Sequence, residues 1–327
     1  MKRLSLLLGL AGVALGTALI GWFGFRHVVE ATLSVGVGGF AAVCAWQMVL
    51  FGALGLCWFV LAPPAQNWRL WVAVWGRMVR DAAGGLLPFS LVGGFVLGAR
   101  VVTLHGVSWP VATASTVVDL TTEFIAQIGL VLIGVVILSA RTPGSAVTLP
   151  VCLGLIAAVL GGFGFIWLQR GGASPFMRLV SRLGRRVLGG LGGNVDGQMA
   201  AVQQALTAIY GRPWRVALGT ALHLLAWLGT GFASWIAFRL LGADIGYVSA
   251  LGIEALLHAV LATAILVPGY AGVQEAAYAG VGALFGQPPE MSLAVSLLRR
   301  ARDVALGVPI LAGWQAMEWF RRRRATG

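Results

Sequence analysis

The sequence predicts an all-α polytopic membrane protein, with six transmembrane helices plus two re-entrant helical hairpins arranged as an inverted repeat. Three observations point there. Apolar residues make up 58% of the chain and charged residues only 10%, whereas a soluble globular domain carries about 25% charged residues. The mean hydropathy is +0.87, which leaves no room for a soluble catalytic domain of ordinary size. Finally, apolar stretches of bilayer-spanning length recur along the chain, and two of them are interrupted by Gly and Pro in corresponding places.

The first stretch, about 4–25, starts MKRLSLLLGL and resembles a signal peptide. It lacks a clear A-x-A site and reads as an uncleaved first helix. Stretches at 37–62, 111–139, 148–168, 214–240 and 291–318 read as full spans. Segment 70–104 is broken by Gly84, Gly85 and Pro88, and segment 247–286 by Pro268, Gly269 and Gly272. Each ends in a short helical piece and a turn, LHGVSWP and LFGQPPE.

Basic residues then fix the sides. Lys2 and Arg3 place the N-terminus inside, and Arg321 to Arg324 do the same for the C-terminus. Arg170, Arg178, Arg182, Arg185, Arg186, Arg212 and Arg215 place the 170–215 loop inside as well. An even number of crossings must separate these points, but the apolar stretches between them are odd in number. Segment 70–104, flanked by Arg69, Arg77 and Arg80, therefore enters and leaves on one side, and so does 247–286. Arg26 and Arg239 fall near the outer face, which a statistical rule tolerates.

An ungapped shift of 180 positions aligns Leu86-Leu87-Pro88 with Leu266-Val267-Pro268, and Leu104-His105-Gly106 with Leu284-Phe285-Gly286. Asp119 then falls on Arg299 and Glu123 on Asp303. The chain reads as one membrane domain, 1–327, with repeat one at about 37–139 and repeat two at about 214–318 in opposite orientation. Between them, PFMRLVSRLGRRVLGGLGG is amphipathic and suits the inner membrane surface. GGLGGNVDG follows no predicted strand and reads as a flexible linker, not a nucleotide loop.

The formal charge of +12 fits the positive-inside rule and contact with anionic headgroups, with no nucleic-acid partner expected. Cys44, Cys57 and Cys152 lie in apolar stretches without metal-ligand spacing and read as small core residues with no disulfide. Gly94–Gly98 and Gly282–Gly286 have the spacing that lets helices approach closely. Trp68, Trp71, Trp109, Trp214, Trp314 and Trp319 fall near span ends, as interfacial anchors do.

Charges at mid-membrane depth carry the chemistry. Arg299, Arg300, Arg302 and Asp303 lie roughly 12–18 Å into the last span. Such a charge costs on the order of 3 kcal/mol near the bilayer centre unless it faces protein, water or a polar ligand. Asp119 and Glu123, four residues apart on one helix face, lie at the same depth. The expectation is that they pair with the Arg299, Arg302 and Asp303 face. Two readings stay open: an ionic seam that fixes helix register, and a polar groove whose arginines grip a lipid phosphate.

Glu254 and His258 repeat the four-residue spacing, and Glu275 lies just past the second break. They suit a proton relay, a polar path or a satisfied core pair. His223 reads as a packing residue. HEXXH, GxSxG, Walker and Cys/His signatures are absent. No catalytic residue, metal or cofactor is therefore expected.

At these residues the chain resembles the lysylphosphatidylglycerol synthase transmembrane family, also called flippase-like. VPGYAGVQEAA at 267–277 is similar to the family's P-G-G-x-G-x-x-E-A, and Asp119-Leu120-Thr121-Thr122-Glu123 resembles its E-R-x-x-D, with Leu120 in place of the arginine. The family's later arginine falls on Arg300. SLVGGFVLGARVVTLHGVSW looks most like the branch associated with hopanoid biosynthesis. The resemblance implies lipid handling by a flippase half without its synthase domain.

The expected function is that of a bacterial inner-membrane protein, with both termini cytoplasmic, that translocates or binds an amphiphilic lipid, hopanoid or phospholipid, past Asp119, Glu123, Glu275, Arg299 and Arg300. Without an ATP site, that motion would be passive, ion-coupled or driven by a partner. The rivals are a membrane-embedded lipid-modifying enzyme using Glu254, His258 or Glu275, and a scaffold for lipid-biosynthesis enzymes.

Overall fold

The computed structural model describes residues 33–62, 68–87, 90–142, 195–264, 267, 270 and 272–324, with isolated positions 153, 154, 156, 160 and 164. The expected first helix, the amphipathic piece after 174, Cys152, Pro88, Pro268 and Gly269 lie outside them, as does most of the 148–168 stretch.

The described residues fold into helices and contain no strand. In chain order these are α1 (Gly36–Leu61), α2 (Leu70–Leu86), α3 (Ser90–Leu104), α4 (Trp109–Arg141), α5 (Val195–Tyr210), α6 (Pro213–Leu240), α7 (Tyr247–Thr263), α8 (Val273–Leu284) and α9 (Pro289–Arg324). Among them α1, α4 and α6 are long and apolar enough to cross a membrane. The boundaries follow local chemistry: Pro110 and Pro213 open α4 and α6 where a missing N–H costs nothing. The two broken segments do divide: α2 stops at Leu86, after Gly84-Gly85, and α7 stops at Thr263, before the Pro-Gly pair.

Both broken segments are antiparallel hairpins. Glycines let α3 lie directly on α2: a Cβ on Gly94 would stand 2.6 Å from the Arg80 carbonyl oxygen, and one on Gly98 3.2 Å from that of Gly76. The mouth of the hairpin closes where the Trp71 ring meets His105 edge-on at 4.8 Å. Its tip reaches Gly307, halfway along α9, where Leu86 fills the space a side chain would need. In the second hairpin, Phe285 returns onto Gly252 near the start of α7.

The turns that lead out of the two hairpins are the same structure. His105, Gly106 and Val107 donate their amides to Val102, Thr103 and Val102 at 3.1, 3.0 and 3.3 Å. Phe285, Gly286 and Gln287 donate to Gly282, Ala283 and Gly282 at 2.9, 3.1 and 3.0 Å. Each bond recurs 180 positions on. Gly106 and Gly286 hold φ of 90° and 74°, which only glycine adopts without cost.

The core of the described residues falls into separate apolar clusters. Phe238, Ile253, Leu257, Tyr278 and Leu298 bury where α6 to α9 meet, and Phe51, Val79, Val101 and Ile310 bury where α1, α2, α3 and α9 meet. α5 was not expected: the linker read at GGLGGNVDG ends inside its first turn. Met199, Val202, Leu206 and Ile209 share one helical face and pack on Leu61, Ala114 and Val118. Arg215 donates to the carbonyl of Ala62 at 3.0 Å, tying the ends of α1 and α6 together.

Candidate functional site: two buried ion networks

The first network joins α2, α4 and α6. Arg77 donates through Nε to Asp81 at 2.9 Å, through Nη1 to Asp119 at 3.1 Å and through Nη2 to Glu123 at 2.6 Å. Arg80 donates to Asp119 and to Glu123, each at 2.5 Å, and its guanidinium lies over the Phe95 ring at 4.2 Å. His223 approaches the other Asp119 oxygen through Nε2 at 3.0 Å. A carboxylate only accepts, so Nε2 carries the hydrogen. Nδ1 of His223 is buried without a hydrogen-bond partner among the described residues. Asp119 and His223 are fully buried, a placement tolerable only because the charges are paired and hydrogen-bonded.

The second network joins α6, α7, α8 and α9. One Glu254 oxygen accepts from Tyr278 at 2.9 Å and from Ser234 at short range. The other accepts from Arg299, also at short range, and from His258 at 3.2 Å. Trp227 meets the His258 ring edge-on at 4.4 Å. Nearer the tip of the second hairpin, Arg300 holds Glu275 at 2.5 Å through Nε and reaches the Tyr270 carbonyl at 3.4 Å. Glu275 also accepts the amide of Gly272 at 2.9 Å, capping α8. Arg302 turns to its neighbour Asp303 at 2.7 Å.

The expected pairing of Asp119 and Glu123 with the Arg299 face is therefore not what forms. Asp119 and Glu123 are matched by Arg77 and Arg80, and Arg299 by Glu254. The reason is proximity. The long arginine side chains reach from α2 to α4 and from α9 to α7, so each of these carboxylates meets a cation from a neighbouring stretch of its own half. Arg77 and Arg80, read as flanks of the first hairpin, are buried inside the protein at 3% and 5% exposure. Nor is His223 a bystander in packing, since it is the third partner of Asp119.

Counted from the helix starts, or by the 180-position shift, several network residues fall opposite one another, and charge reverses at two of the pairs, Arg77 with Glu254 and Asp119 with Arg299. α2 and α7 each span 17 residues, and in register Arg77 meets Glu254 and Asp81 meets His258. On the long helices Asp119 meets Arg299 and Glu123 meets Asp303. α6 serves both, with His223 on the first network and Ser234 on the second.

Between the networks, Gln127, one turn beyond Glu123, donates to the His258 carbonyl at 3.3 Å. Tyr270 lies within the electrostatic reach of both Glu123 and Arg299. Its φ of 53° is left-handed, a conformation that costs a non-glycine residue about 1–3 kcal/mol and persists only where its surroundings impose it. The edges of the networks are open while their centres are closed. Asp119 and Glu254 are sealed at 0%, whereas Glu123, Arg300 and Glu275 are 14%, 15% and 12% exposed.

Among the described residues no group of three or more His, Cys, Asp or Glu converges on a metal-sized point. Arg77, Arg80, Asp81, His223, Ser234 and Tyr278 are the members that sequence reasoning missed. One signal was available: R-x-x-R-D occurs at Arg77–Asp81 and again at Arg299–Asp303.

In comparison with known proteins, the family described as the lysylphosphatidylglycerol synthase TM region matches residues 9–313. No curated protein and no solved structure shows significant similarity to the chain.

Proposed function

Because the chain belongs to the lysylphosphatidylglycerol synthase transmembrane family, we propose that it carries the headgroup of an amphiphilic lipid between leaflets while the tails stay in the bilayer. The lipid is a phospholipid or a hopanoid. The observation that carries this reading is the Arg300–Glu275 pair, partly open at its edge near the tip of a broken hairpin and facing the strained Tyr270. A pair held only to fix register has no need of an open edge. A guanidinium that can exchange its carboxylate for a phosphate does.

In this reading the headgroup meets Glu123 and Asp81 at the edge of the first network and Arg299, Arg300 and Asp303 at the edge of the second. Asp119, Glu254 and His258 hold those residues in place from behind. The setting is a bacterial inner membrane with both termini in the cytoplasm. The two hairpins re-enter from opposite sides, so the halves form an inverted repeat and their tips approach the midplane, as in transporters built from broken helices. The arginine-ended α9 and the recurrent turns at 102–107 and 282–287 support this arrangement.

The test is lipid movement in proteoliposomes with a fluorescent phospholipid. Arg300→Gln and Glu275→Gln should each slow it by about tenfold, the equivalent of one charge-assisted hydrogen bond. Movement at the parental rate in both variants would remove the headgroup role from this pair.

A further inference from the structure

Well away from both networks, a cavity of about 380 Å³ opens where α2 begins and α3 and α9 end, lined by Arg69, Trp71, Val72, Leu104, His105 and Arg321. We propose that it is a binding site for the headgroup of an anionic phospholipid at the rim of the membrane. The inference rests on the membrane setting and not on the transport reading, since none of its residues belongs to the transport path.

Charge is the first argument. Arg69 and Arg321 are exposed and have no carboxylate partner among the described residues. The segment that precedes Arg69, residues 63–67, is Pro-Pro-Ala-Gln-Asn and brings no acid, and neither does Ala-Thr-Gly after Arg324. The one acid of this rim, Glu318, is already held by Arg100 at 3.1 Å.

Backbone geometry is the second. Arg69 is the N-cap of α2 without a side-chain hydrogen bond. Its carbonyl accepts from Val72 and Ala73 at 3.0 and 3.2 Å, which leaves the Leu70 and Trp71 amides outside the helical ladder, at the positive end of the helix. A phosphate seated between the two guanidinium groups meets those amides as well.

The third argument names the source of the phosphate. Trp71 is 53% exposed beside the cavity, and on α9 Arg323 stacks on Trp319 at 3.8 Å, the two residues lying two positions to either side of Arg321. Exposed tryptophan among arginines is the signature of the headgroup level, where a ring sits against acyl chains while its neighbours contact phosphates. His105 donates Nδ1 to the Val101 carbonyl at 2.8 Å. Nε2 remains as the ring's other polar atom for the glycerol or headgroup hydroxyls.

Native mass spectrometry of the full chain in detergent, titrated with phosphatidylglycerol or phosphatidylcholine, tests this. The parent should retain phosphatidylglycerol in preference. R69Q/R321Q should lose about thirtyfold of that preference, roughly fivefold for each arginine at a membrane surface. Arg239→Gln, at the far end of α6 and paired with Asp244, should leave it unchanged.

Three results would overturn the proposal. The first is equal retention of the two lipids by the parent. The second is an R69Q/R321Q chain that keeps the preference or an Arg239→Gln chain that loses it. The third is displacement by equimolar inorganic phosphate, which would make the ligand a soluble anion. Lipid movement in the proteoliposome assay is a separate readout, so failure here and failure of the transport reading cannot be confused.

Discussion

Asp119 accepts from three side chains that arrive from two helices, two arginines from α2 and an imidazole from α6. Truncating it leaves Arg80 with Glu123 alone and strips the buried Nη1 of Arg80 and Nε2 of His223 of their acceptor. Asp119→Ala should therefore destabilise the protein by about 3–5 kcal/mol, the cost of breaking a buried pair from one side, measured as the denaturation midpoint in mixed micelles. A loss below about 1 kcal/mol, the range of an exposed pair, would mean that the network does not hold α2 to α4. The sequence could show that Asp119 and Glu123 needed counter-charges, because spacing and depth are properties of one helix. It could not show which arginines, because the partners are chosen by how hairpins pack. His223 illustrates this most sharply. A single His in an apolar helix carries no pattern, and its partner lies 104 positions away in the chain.

Element boundaries were far more legible than partners. Apolar length and the Gly and Pro interruptions are local signals, and α1, α4, α6 and the two divided segments follow them closely. α5 was hidden because its apolar face has only four anchors and follows a glycine-rich run that suggests a linker. The recurrence at 180 positions was partly hidden too: the turns at 102–107 and 282–287 share their hydrogen bonds but only a leucine at 104 and 284 and a glycine at 106 and 286, so sequence identity is low where the backbone bonding agrees. The hairpin reading has a direct consequence for topology. In a chain with the native cysteines replaced, Trp71→Cys and His105→Cys should react with a membrane-impermeant thiol reagent from the same side as Arg321→Cys. Asp244→Cys should react from the opposite side. Labelling of the Trp71 and His105 positions from opposite sides would make α2 and α3 crossings instead of a hairpin.

At the scale of the whole molecule, the net charge of +12 does not describe the interior, where the buried arginines of each network are matched by carboxylates of the same network. The described contact between the networks is a neutral one, the Gln127 amide on the His258 carbonyl. Gln127→Leu should leave both networks paired and change stability by about 1 kcal/mol, the net worth of an uncharged hydrogen bond, in the same micelle titration. A loss as large as that of Asp119→Ala would mean that Gln127 does more than make this one uncharged bond. Two carboxylate contacts cross between the halves, Arg100 to Glu318 at 3.1 Å and His223 to Asp119 at 3.0 Å. In the proposed transport reading, rocking of one half against the other then has to keep or exchange one rim ion pair, one buried imidazole and one amide, which makes these contacts gates on any alternating exposure.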